Sequence, residues 1–485
     1  MSRQFAALAA TPVLVFALVL ALGGAMPVLA AGPEAPAIDG RHLGLAWVLP
    51  FIGILLSIAI LPLAAPRFWH HHFGKVSAAW AALVIVPFAV LHGLPSTVYE
   101  IAHLALLDYI PFIVLLAALF VVTGGIHIRG NFYGSPSMNT ALLAVGTVLA
   151  GWMGTTGASM LLIRPVIRAN DDRRHKIHVF VFFIFLVSNI GGALTPLGDP
   201  PLFLGFLKGV SFFWTTEHLF SEMLFCVIVL LALFYALDSY WYRKEGHRRR
   251  DPTPESPIRL EGGANIILLM VVVGIVLASG TWNPGVSFTV FHVPLELQHV
   301  LRDLALVGVI VASLKLTPRK VRTDNTFTWG PMAEVAKLFA GIFVTIAPAL
   351  AILRAGPDGA AAPLIALVTG PDGQPLDVWY FWLSGILSSF LDNAPTYLVF
   401  FNLAGGDPQV LMGALASTLA AISCGAVFMG ANSYIGNAPN FMVKAVVEEA
   451  GIRMPSFFGY MAWSSAILLP LFAVLTFVFF RGPAP

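Results

Sequence analysis

The sequence predicts an all-α polytopic membrane protein, built as an inverted repeat of about 5+5 transmembrane helices with two re-entrant hairpins and two broken helices. Three observations predict this fold class. The 485-residue chain is 58% hydrophobic and only 11% charged, whereas soluble domains carry about 25% charged residues. Its apolar runs are long enough to span a bilayer. Similar polar motifs interrupt these runs at a fixed spacing.

Residues 1–30 predict a secretory signal peptide. Arg3 precedes an apolar run from Phe5 to Leu22, and Val28-Leu29-Ala30 fits a small-residue cleavage site. An uncleaved first helix is the alternative. In both cases we expect a multi-pass protein of the inner (plasma) membrane of a bacterium.

The first repeat is predicted at 43–240, a linker at 241–262, and the second repeat at 263–480. Runs of about 17–25 apolar residues indicate membrane spans. In the first repeat they read 43–65, 76–93, 104–126, 177–210 and 219–241. In the second repeat they read 263–280, 300–315, 331–352, 408–445 and 456–480. Within these sets, 177–210 and 408–445 are predicted as broken helices.

Two further apolar stretches, 138–163 and 379–404, have polar residues near their middles and are predicted as re-entrant hairpins. With the hairpins excluded from the crossings, the lysine and arginine clusters at 164–176, 243–259 and 315–322 all fall on one side, as the positive-inside rule requires. Each repeat then has an odd number of crossings. The second repeat is therefore expected to be inverted relative to the first, and the basic linker to be cytoplasmic.

An offset of 238 residues relates the two repeats. GALTPLGDPPLF (192–203) lies over GANSYIGNAPNF (430–441), with five of twelve residues identical. The same offset lays the first hairpin centre, WMGTTGASMLL (152–162), over FLDNAPTYLVF (390–400), where only the hydrophobic pattern agrees.

The motif TPLGDPP explains why the first broken helix must stop. Pro200 and Pro201 remove two backbone donors and disfavour helical geometry in the residue before each, and Gly198 allows a turn. Such a break at membrane depth is tolerated only where protein or water satisfies the freed backbone groups. We therefore expect a polar site there that contains Asp199. Inverted repeats with broken helices are the general architecture of secondary transporters.

These motifs resemble those of the ion transporter superfamily, which includes sodium/proton antiporters of the NhaD type, citrate and dicarboxylate carriers, and arsenite permeases. SNIGGALTPLGDPP is similar to the break after the first hairpin of that superfamily. FLDNAPTYLVF resembles the Asp-Asn hairpin tip of its antiporter and permease branch, and GANSYIGNAPN resembles the second break. The first tip, Gly154-Thr155-Thr156-Gly157, departs from both the Ser-Asn-Thr and the Asp-Asn patterns.

The resemblance implies one sodium-type site in each repeat, formed by a hairpin tip and the following break. Carried over by position, the first site contains Thr155, Thr156, Asn189, Thr195, Gly198 and Asp199. The second contains Asp392, Asn393, Thr396, Asn432, Ser433 and Asn437. Asp392 and Asp199 are the expected ligands of a sodium ion.

Each of these side chains also has a structural alternative. Asp392 could cap the second half of its hairpin and Asp199 the half-helix that starts at the prolines. Asn393 and Asn437 could satisfy broken backbone, and Thr155, Thr156 and Ser433 could serve helix packing. An acidic residue inside a membrane segment is nevertheless a functional candidate by default, because its burial is costly.

Sodium/proton antiport by alternating access is the first functional expectation. Burial favours the protonated form of a carboxylate and a nearby cation favours the charged form, so sodium and protons can compete for one group. A proton- or sodium-coupled citrate or dicarboxylate carrier is the alternative. The expected partners are an inorganic cation, a proton, a small carboxylate in the alternative, and the lipid bilayer.

We expect no enzyme activity, since neither His-Glu-x-x-His nor Gly-x-Ser-x-Gly occurs in the chain. We also expect no cofactor beyond the transported sodium or proton, and no nucleic-acid partner. The resemblance suggests a homodimer.

Overall fold

The protein is all-α and polytopic in the computed structural model, which describes residues 39–130, 132–246, 257–371 and 373–481. Within these ranges, nine helical segments are long and apolar enough to cross a membrane, and Ala416–Asn432 is apolar but shorter. The predicted all-α, multi-pass fold class is confirmed. The signal peptide predicted at 1–30 lies outside the described residues.

The first half of the described chain contains nine α-helices. They are α1 (Leu49–Ala64), α2 (Pro66–His92), α3 (Leu94–His103), α4 (Ile110–Thr123), α5 (Pro136–Met153), α6 (Thr155–Ala169), α7 (Ile177–Leu186), α8 (Pro200–Leu207) and α9 (Trp214–Lys244). A π-helix, Leu104–Tyr109, joins α3 to α4. Short 3-10 turns occupy Gly40–His42, Leu45–Val48 and Ile190–Leu194.

The second half of the described chain continues the same kind of structure. Its helices are α10 (Ala264–Thr281), α11 (Leu297–Leu316), α12 (Arg319–Asp324), α13 (Gly330–Arg354), α14 (Ala362–Leu367), α15 (Asp377–Phe390), α16 (Asn393–Leu403), α17 (Pro408–Met412), α18 (Ala416–Met429), α19 (Ala438–Glu449) and α20 (Phe457–Phe479). The 3-10 turns are Gly356–Asp358 and Gly430–Asn432.

Two small antiparallel sheets complete the described fold. β1 (His127–Arg129) pairs with β2 (Arg259–Glu261), so the end of the linker is joined to the segment after α4. β3 (Ser287–Val290) pairs with β4 (Val293–Glu296) in a hairpin between α10 and α11. Neither sheet is apparent from the sequence, because strands of three or four residues are too short for their periodicity to be recognised.

The predicted span 76–93 begins too late. The structure starts α2 at Pro66, ten residues earlier, and continues it to His92. Arg67, the histidine run 70–72 and Lys75 lower the hydropathy of the first turns, yet Pro66 sits at the first position of the helix, where proline is favoured. Polar residues can extend a membrane helix beyond the apolar stretch that reveals it.

Each predicted hairpin stretch folds back on itself. In the first, Asn139 Nδ2 donates to Asn170 Oδ1 at 2.9 Å, so the two chain segments run antiparallel on either side of Gly154. In the second, the Tyr380 hydroxyl donates to the carbonyl of Leu403 at 3.3 Å, across a turn at Leu391 and Asp392. That each hairpin returns to its own membrane face, and that the second half is inverted, stay predictions.

The broken helices lie at the centre of the molecule. The segment Ile177–Leu194 is 89% buried inside the protein, whereas Leu45–Ala64 and Pro66–His92 are each 22% buried. The outer helices expose apolar side chains such as Val90, at 78%, and Ile267, at 68%. Exposed apolar surface on this scale fits a hydrocarbon solvent, so polar chemistry is confined to the interior.

A buried ion network ties the first hairpin to α9. Asp238, which is fully buried, accepts hydrogen bonds from Arg173 Nη2 at 2.9 Å, His178 Nε2 at 2.8 Å and Asn139 Nδ2 at 3.0 Å. Arg173 Nε also donates to Glu245 at 3.0 Å. Every charge in this network is compensated, which indicates a structural role.

Replacing Arg173 by methionine should therefore destabilise the fold. The substitution removes the cationic partner of Glu245 and leaves Asp238 with His178 and Asn139 alone, and breaking a buried ion pair costs about 3–5 kcal/mol. The measurement is thermal unfolding of the detergent-solubilised protein. Lys444→Met is the control, because its ion pair with Glu448 is partly exposed and such pairs contribute about 0–1 kcal/mol. Equal stability losses for the two variants would contradict the assignment.

Candidate functional site

The first break separates α7 from α8. After α7 the chain forms the 3-10 turn Ile190–Leu194 and then leaves helical geometry at Thr195. The Thr195 hydroxyl donates to the carbonyl of Gly151 at 2.5 Å and accepts from the backbone N–H of Leu197 at 3.1 Å. One hydroxyl thus satisfies a donor of the break and holds the break against the first hairpin. The chain becomes helical again at Pro200.

The second break repeats these bonds at the same 238-residue offset. The Ser433 hydroxyl donates to the carbonyl of Ser389 at 2.5 Å and accepts from the N–H of Ile435 at 3.2 Å. Helix α19 then begins at Ala438, with Pro439 in its first turn. Thr195 and Ser433 occupy equivalent positions in the two repeats, and each hydroxyl forms hydrogen bonds with backbone groups at its break.

Asp199 is the point at which the predicted site residues meet. Its carboxylate accepts from the Thr155 hydroxyl at 2.9 Å, from Asn437 Nδ2 at 3.2 Å and from Asn393 Nδ2. The residue is 1% exposed. The partners come from the first hairpin tip, the second break and the second hairpin tip. The arrangement thus joins the two predicted sites of the sequence analysis into one cluster.

A chain of asparagine side chains extends this cluster. Asn437 Nδ2 also lies 3.3 Å from Asn189 Oδ1, and Asn189 Nδ2 donates to Asn440 Oδ1 at 2.7 Å. Asn440 Nδ2 in turn donates to the carbonyls of Gly430 and Ser433, each at 2.8 Å. These amides satisfy the backbone carbonyls of the second break and connect it to the end of α7.

Asp392 has a different environment from Asp199. It is partly exposed, and its carboxylate accepts from the N–H of Ala394 at 3.1 Å, which caps the N-terminus of α16. The Thr396 hydroxyl donates back to the Asp392 carbonyl at 3.0 Å. The structure thus shows the capping interaction for Asp392, and its neighbour Asn393 makes the contact to Asp199.

Two other predicted residues form no hydrogen bond with Asp199. Thr156 lines a separate small pocket with Met160 and Thr326. Asn432 Nδ2 donates to the Ser389 hydroxyl at 2.9 Å. Among the described residues, Asn393 Oδ1 and Asn432 Oδ1 are both buried without a hydrogen-bond partner. Buried acceptors without partners are uncommon and call for an explanation.

Sequence reasoning missed Asn440 and Ser389. Both are buried and both bond the second break or its neighbours. Asn440 stands in the quoted motif GANSYIGNAPNF, but the 238-residue offset gives it Leu202 as counterpart. Comparison of the two repeats therefore gives no sign of Asn440, whereas its amide side chain close to a break is a signal that could have identified it.

The two half-helices that start at the cluster run side by side. Asp199 is the N-cap residue of α8 and Asp392 that of α16. Farther along, a Cβ built on Gly205 would lie 2.4 Å from the hydroxyl of Tyr397, so the glycine lets α8 and α16 pack closely. Both N-termini, which carry partial positive charge, therefore lie at the same place.

A cavity of about 370 Å³ lies at the opposite ends of these half-helices. At the end of α8, Lys208 pairs with Asp108 of the π-helix at 2.5 Å. Near the end of α16, Arg354 Nε donates to Asn402 Oδ1 at 2.6 Å. Lys208, Asp108 and Arg354 all line the cavity. Two short helices thus separate it from Asp199.

The electrostatics of the cluster favour a cation over an anion. No Lys, Arg or His of the described chain forms an ion pair with Asp199. The same residues contain no group of three or more His, Cys, Asp or Glu side chains of the kind that holds a transition metal. What the cluster offers is carboxylate, amide and hydroxyl oxygen, which suits hard cations.

Comparison with known proteins identifies the family of the chain. Residues 40–480 match the family described as "Putative citrate transport". The chain belongs to this family. It is also similar to the Na(+)/H(+) antiporter NhaD of Halomonas elongata, at 23% identity over 482 residues, which cover 92% of this chain and 91% of that protein.

Two proteins described as uncharacterized transporters, from Mycobacterium tuberculosis and Mycobacterium bovis, are each 26% identical to this chain over 394 residues. The matches cover 76% of this chain and 84% of each relative. The family and the relatives confirm the resemblance to ion transporters. The protein is therefore a multi-pass secondary transporter and not an enzyme.

Alanine at Gly198 should disrupt the cluster. A Cβ there would lie 2.2 Å from the carbonyl oxygen of Gly192, a backbone atom that cannot swing away. Overpacking of this kind costs about 1–3 kcal/mol. We expect lower thermal stability in detergent and loss of transport. Gly274→Ala in α10 is the matched control, because its Cβ meets nothing within 4 Å. A Gly198→Ala protein as stable and active as this control would contradict the geometry.

Proposed function

We propose that the protein exchanges sodium for protons across the inner membrane of a bacterium by alternating access. The observation that carries the proposal is the environment of Asp199, a buried carboxylate held by Thr155, Asn393 and Asn437. These donors come from both halves of the chain. A carboxylate so placed can be reached by either competing cation only when the surrounding elements move.

Competition at Asp199 couples the two ions. A proton neutralises the carboxylate directly, and a sodium ion compensates its charge without a proton. Binding of one therefore favours release of the other. Because the ion gradients supply the free energy, the exchange needs no bound cofactor.

The unpartnered amide oxygens support a cation close to the second hairpin tip. Asn393 Oδ1 and Asn432 Oδ1 are buried acceptors with unused lone pairs, and both lie in elements that adjoin Asp199 or Asp392. A sodium ion would use such oxygens as ligands, together with the carboxylates. The positive ends of α8 and α16 would stabilise the carboxylate charge after the cation leaves.

Transport of citrate or a similar carboxylate is the second candidate, and the description of the matched family favours it. Half-helix N-termini could hold an anion. Asp199 argues against a dianion at this position, because no basic side chain of the described residues compensates it. Citrate uptake by reconstituted protein, without any response to sodium or lithium, would establish this alternative and exclude antiport. Homodimer assembly stays a prediction of the resemblance.

Substituting Asp199 by asparagine tests the proposal. The variant keeps the size of the side chain, but its neutral amide cannot exchange a proton or balance the charge of a sodium ion. We expect sodium-driven proton flux to fall by roughly 100-fold or more, the loss typical of removing a positioned proton carrier. The measurement uses liposomes that contain the purified protein and an entrapped pH-sensitive dye, with sodium, lithium, potassium and citrate added in turn.

Asp407→Asn is the control for that experiment, because Asp407 is exposed and caps α17 through its side chain. Asparagine caps a helix as well as aspartate does, so this variant should keep full activity. Full activity of Asp199→Asn would show that Asp199 only begins a helix.

Asp392→Asn separates the charge of Asp392 from its capping role. Asparagine preserves the cap of α16, so any effect reports the lost charge. We expect roughly tenfold weaker apparent sodium affinity, from the loss of about 1–2 kcal/mol of attraction. Asp392→Ala, which also loses the cap, should in addition be less stable. Unchanged sodium dependence in Asp392→Asn, with destabilisation only in Asp392→Ala, would leave Asp392 as a cap.

A further inference from the structure

Among the residues that the structure describes, five acidic side chains are buried: Asp108, Asp199, Glu222, Asp238 and Asp303. Four of them have charged or polar partners. Asp108 pairs with Lys208, Asp303 with Arg302, and Asp238 with Arg173 and His178, while Asp199 has three hydrogen-bond donors. Glu222 differs from all of them.

Glu222 lies on α9 and is 9% exposed. Its Oε2 atom is buried without a hydrogen-bond partner, and no basic residue of the described ranges forms an ion pair with it. The same helix carries Asp238, four turns farther on, whose carboxylate accepts three hydrogen bonds. Ion pairs and hydrogen bonds therefore compensate the buried carboxylate of Asp238, whereas Glu222 has no ion pair and one unpartnered carboxyl oxygen.

The titratable groups around Glu222 are few. On α9 itself, His218 lies one turn before it and Cys226 one turn after. Of the elements packed against α9, α5 and the 3-10 turn Ile190–Leu194 have no titratable side chain. Helix α7 contributes His178, which is bonded to Asp238; α18 contributes Cys424; and α20 contributes Tyr460, whose hydroxyl donates to Ala431.

His218 gives Glu222 a neighbour that can exchange protons. The half-buried imidazole donates from Nδ1 to the carbonyl of Trp214 at 3.0 Å and stacks on the indole ring at 4.5 Å. This hydrogen bond fixes the proton of the neutral ring on Nδ1 and leaves Nε2 able to accept one. Residues four apart on a helix are neighbours, so His218 and Glu222 form a short line along α9.

The same part of α9 contacts the elements that hold Asp199. The Thr216 hydroxyl donates to the carbonyl of Leu194, at the end of the turn that leads into the first break, at 2.7 Å. Helix α9 also packs against α18, which leads into the second break. A rearrangement of either break therefore changes the surroundings of Glu222.

We propose that Glu222 is a second proton-binding site of the transporter, which exchanges protons through His218. The inference rests on the proposed sodium/proton exchange. An uncompensated charge in this apolar position is costly, so Glu222 holds a proton in the conformation described here. It releases that proton when the breaks move and water or a polar group reaches Oε2.

The test compares Glu222→Gln with Glu217→Gln in liposomes. Glu217 is an exposed glutamate in the first turn of the same helix and provides the matched control. We expect sodium-driven proton flux through Glu222→Gln to carry fewer protons for each sodium ion than flux through the wild-type protein, because only the exchange at Asp199 remains. Exchange of labelled sodium between equal sodium concentrations requires no net proton movement and should be retained, whereas Asp199→Asn should lose both activities.

An infrared measurement tests the proton site without transport. The pH difference spectrum of the wild-type protein should contain a carbonyl band of a protonated carboxyl that disappears in Glu222→Gln and remains in Glu217→Gln. Should Glu222→Gln fail to give monodisperse protein in detergent, Glu222→Asp replaces it and should shift the pH dependence of exchange. Absence of the band difference, or an unaltered pH profile in Glu222→Asp, would overturn the inference.

The transport results separate this inference from the proposed function. If wild-type protein shows no sodium-driven proton flux, the proposed function is wrong, whatever Glu222 does. If wild-type protein exchanges the ions and Glu222→Gln moves as many protons for each sodium ion, the proposed function stands and Glu222 is only a buried neutral acid.

Discussion

Hydrocarbon cannot hydrogen-bond to a peptide group, and the central architecture of this protein follows from that constraint. Both breaks expose backbone groups in the middle of the molecule, where α7 and α18 are almost entirely buried. Thr195, Ser433 and Asn440 satisfy those groups with short side chains. The primary reason for the polar cluster is therefore that the backbone groups of the breaks need hydrogen-bond partners. Asp199 lies among the polar groups that the breaks already require.

The partners of a buried carboxylate distinguish its role more clearly than its burial does. Asp238, Asp199 and Glu222 are all buried, yet their surroundings differ. Arginine and histidine fix the charge of Asp238, which suits a permanent structural tie. Asp199 has only neutral donors, which a bound cation or proton can replace. Glu222 Oε2 has no partner at all. One membrane protein thus accommodates buried carboxyl groups in three ways: with a permanently paired charge, with an exchangeable cation or proton, and with a bound proton.

Hydropathy and turn chemistry predicted most of the fold. Apolar runs located the spans, and the glycine and proline residues of TPLGDPP and GNAP located the breaks. The early start of α2 at Pro66 was missed, because polar side chains in its first turns conceal a helix from any hydropathy average. Short strands such as β1 and β2 pair residues more than a hundred positions apart, which no local pattern reveals.

The site was harder to predict than the fold. The resemblance to the ion transporter superfamily, carried over by position, implied Asp199, Asn393 and Asn437 as candidates, but it assigned them to two separate sites. The hydrogen bond from Asn393 to Asp199 joins residues 194 positions apart, so only the tertiary structure reveals it. Adjacent residues at a helix start also point in different directions. Asp392 therefore caps α16, as its structural alternative expected, while Asn393 reaches Asp199.

The close packing of α8 against α16 has a consequence for the speed of the transporter. Because Gly205 has no side chain, the Tyr397 ring packs directly against the backbone of α8, and we expect these two short helices to move together. The ion pair of Lys208 and Asp108 lies at the far end of α8, so a movement of the two helices relative to the π-helix has to separate those charges, and we expect this step to slow turnover.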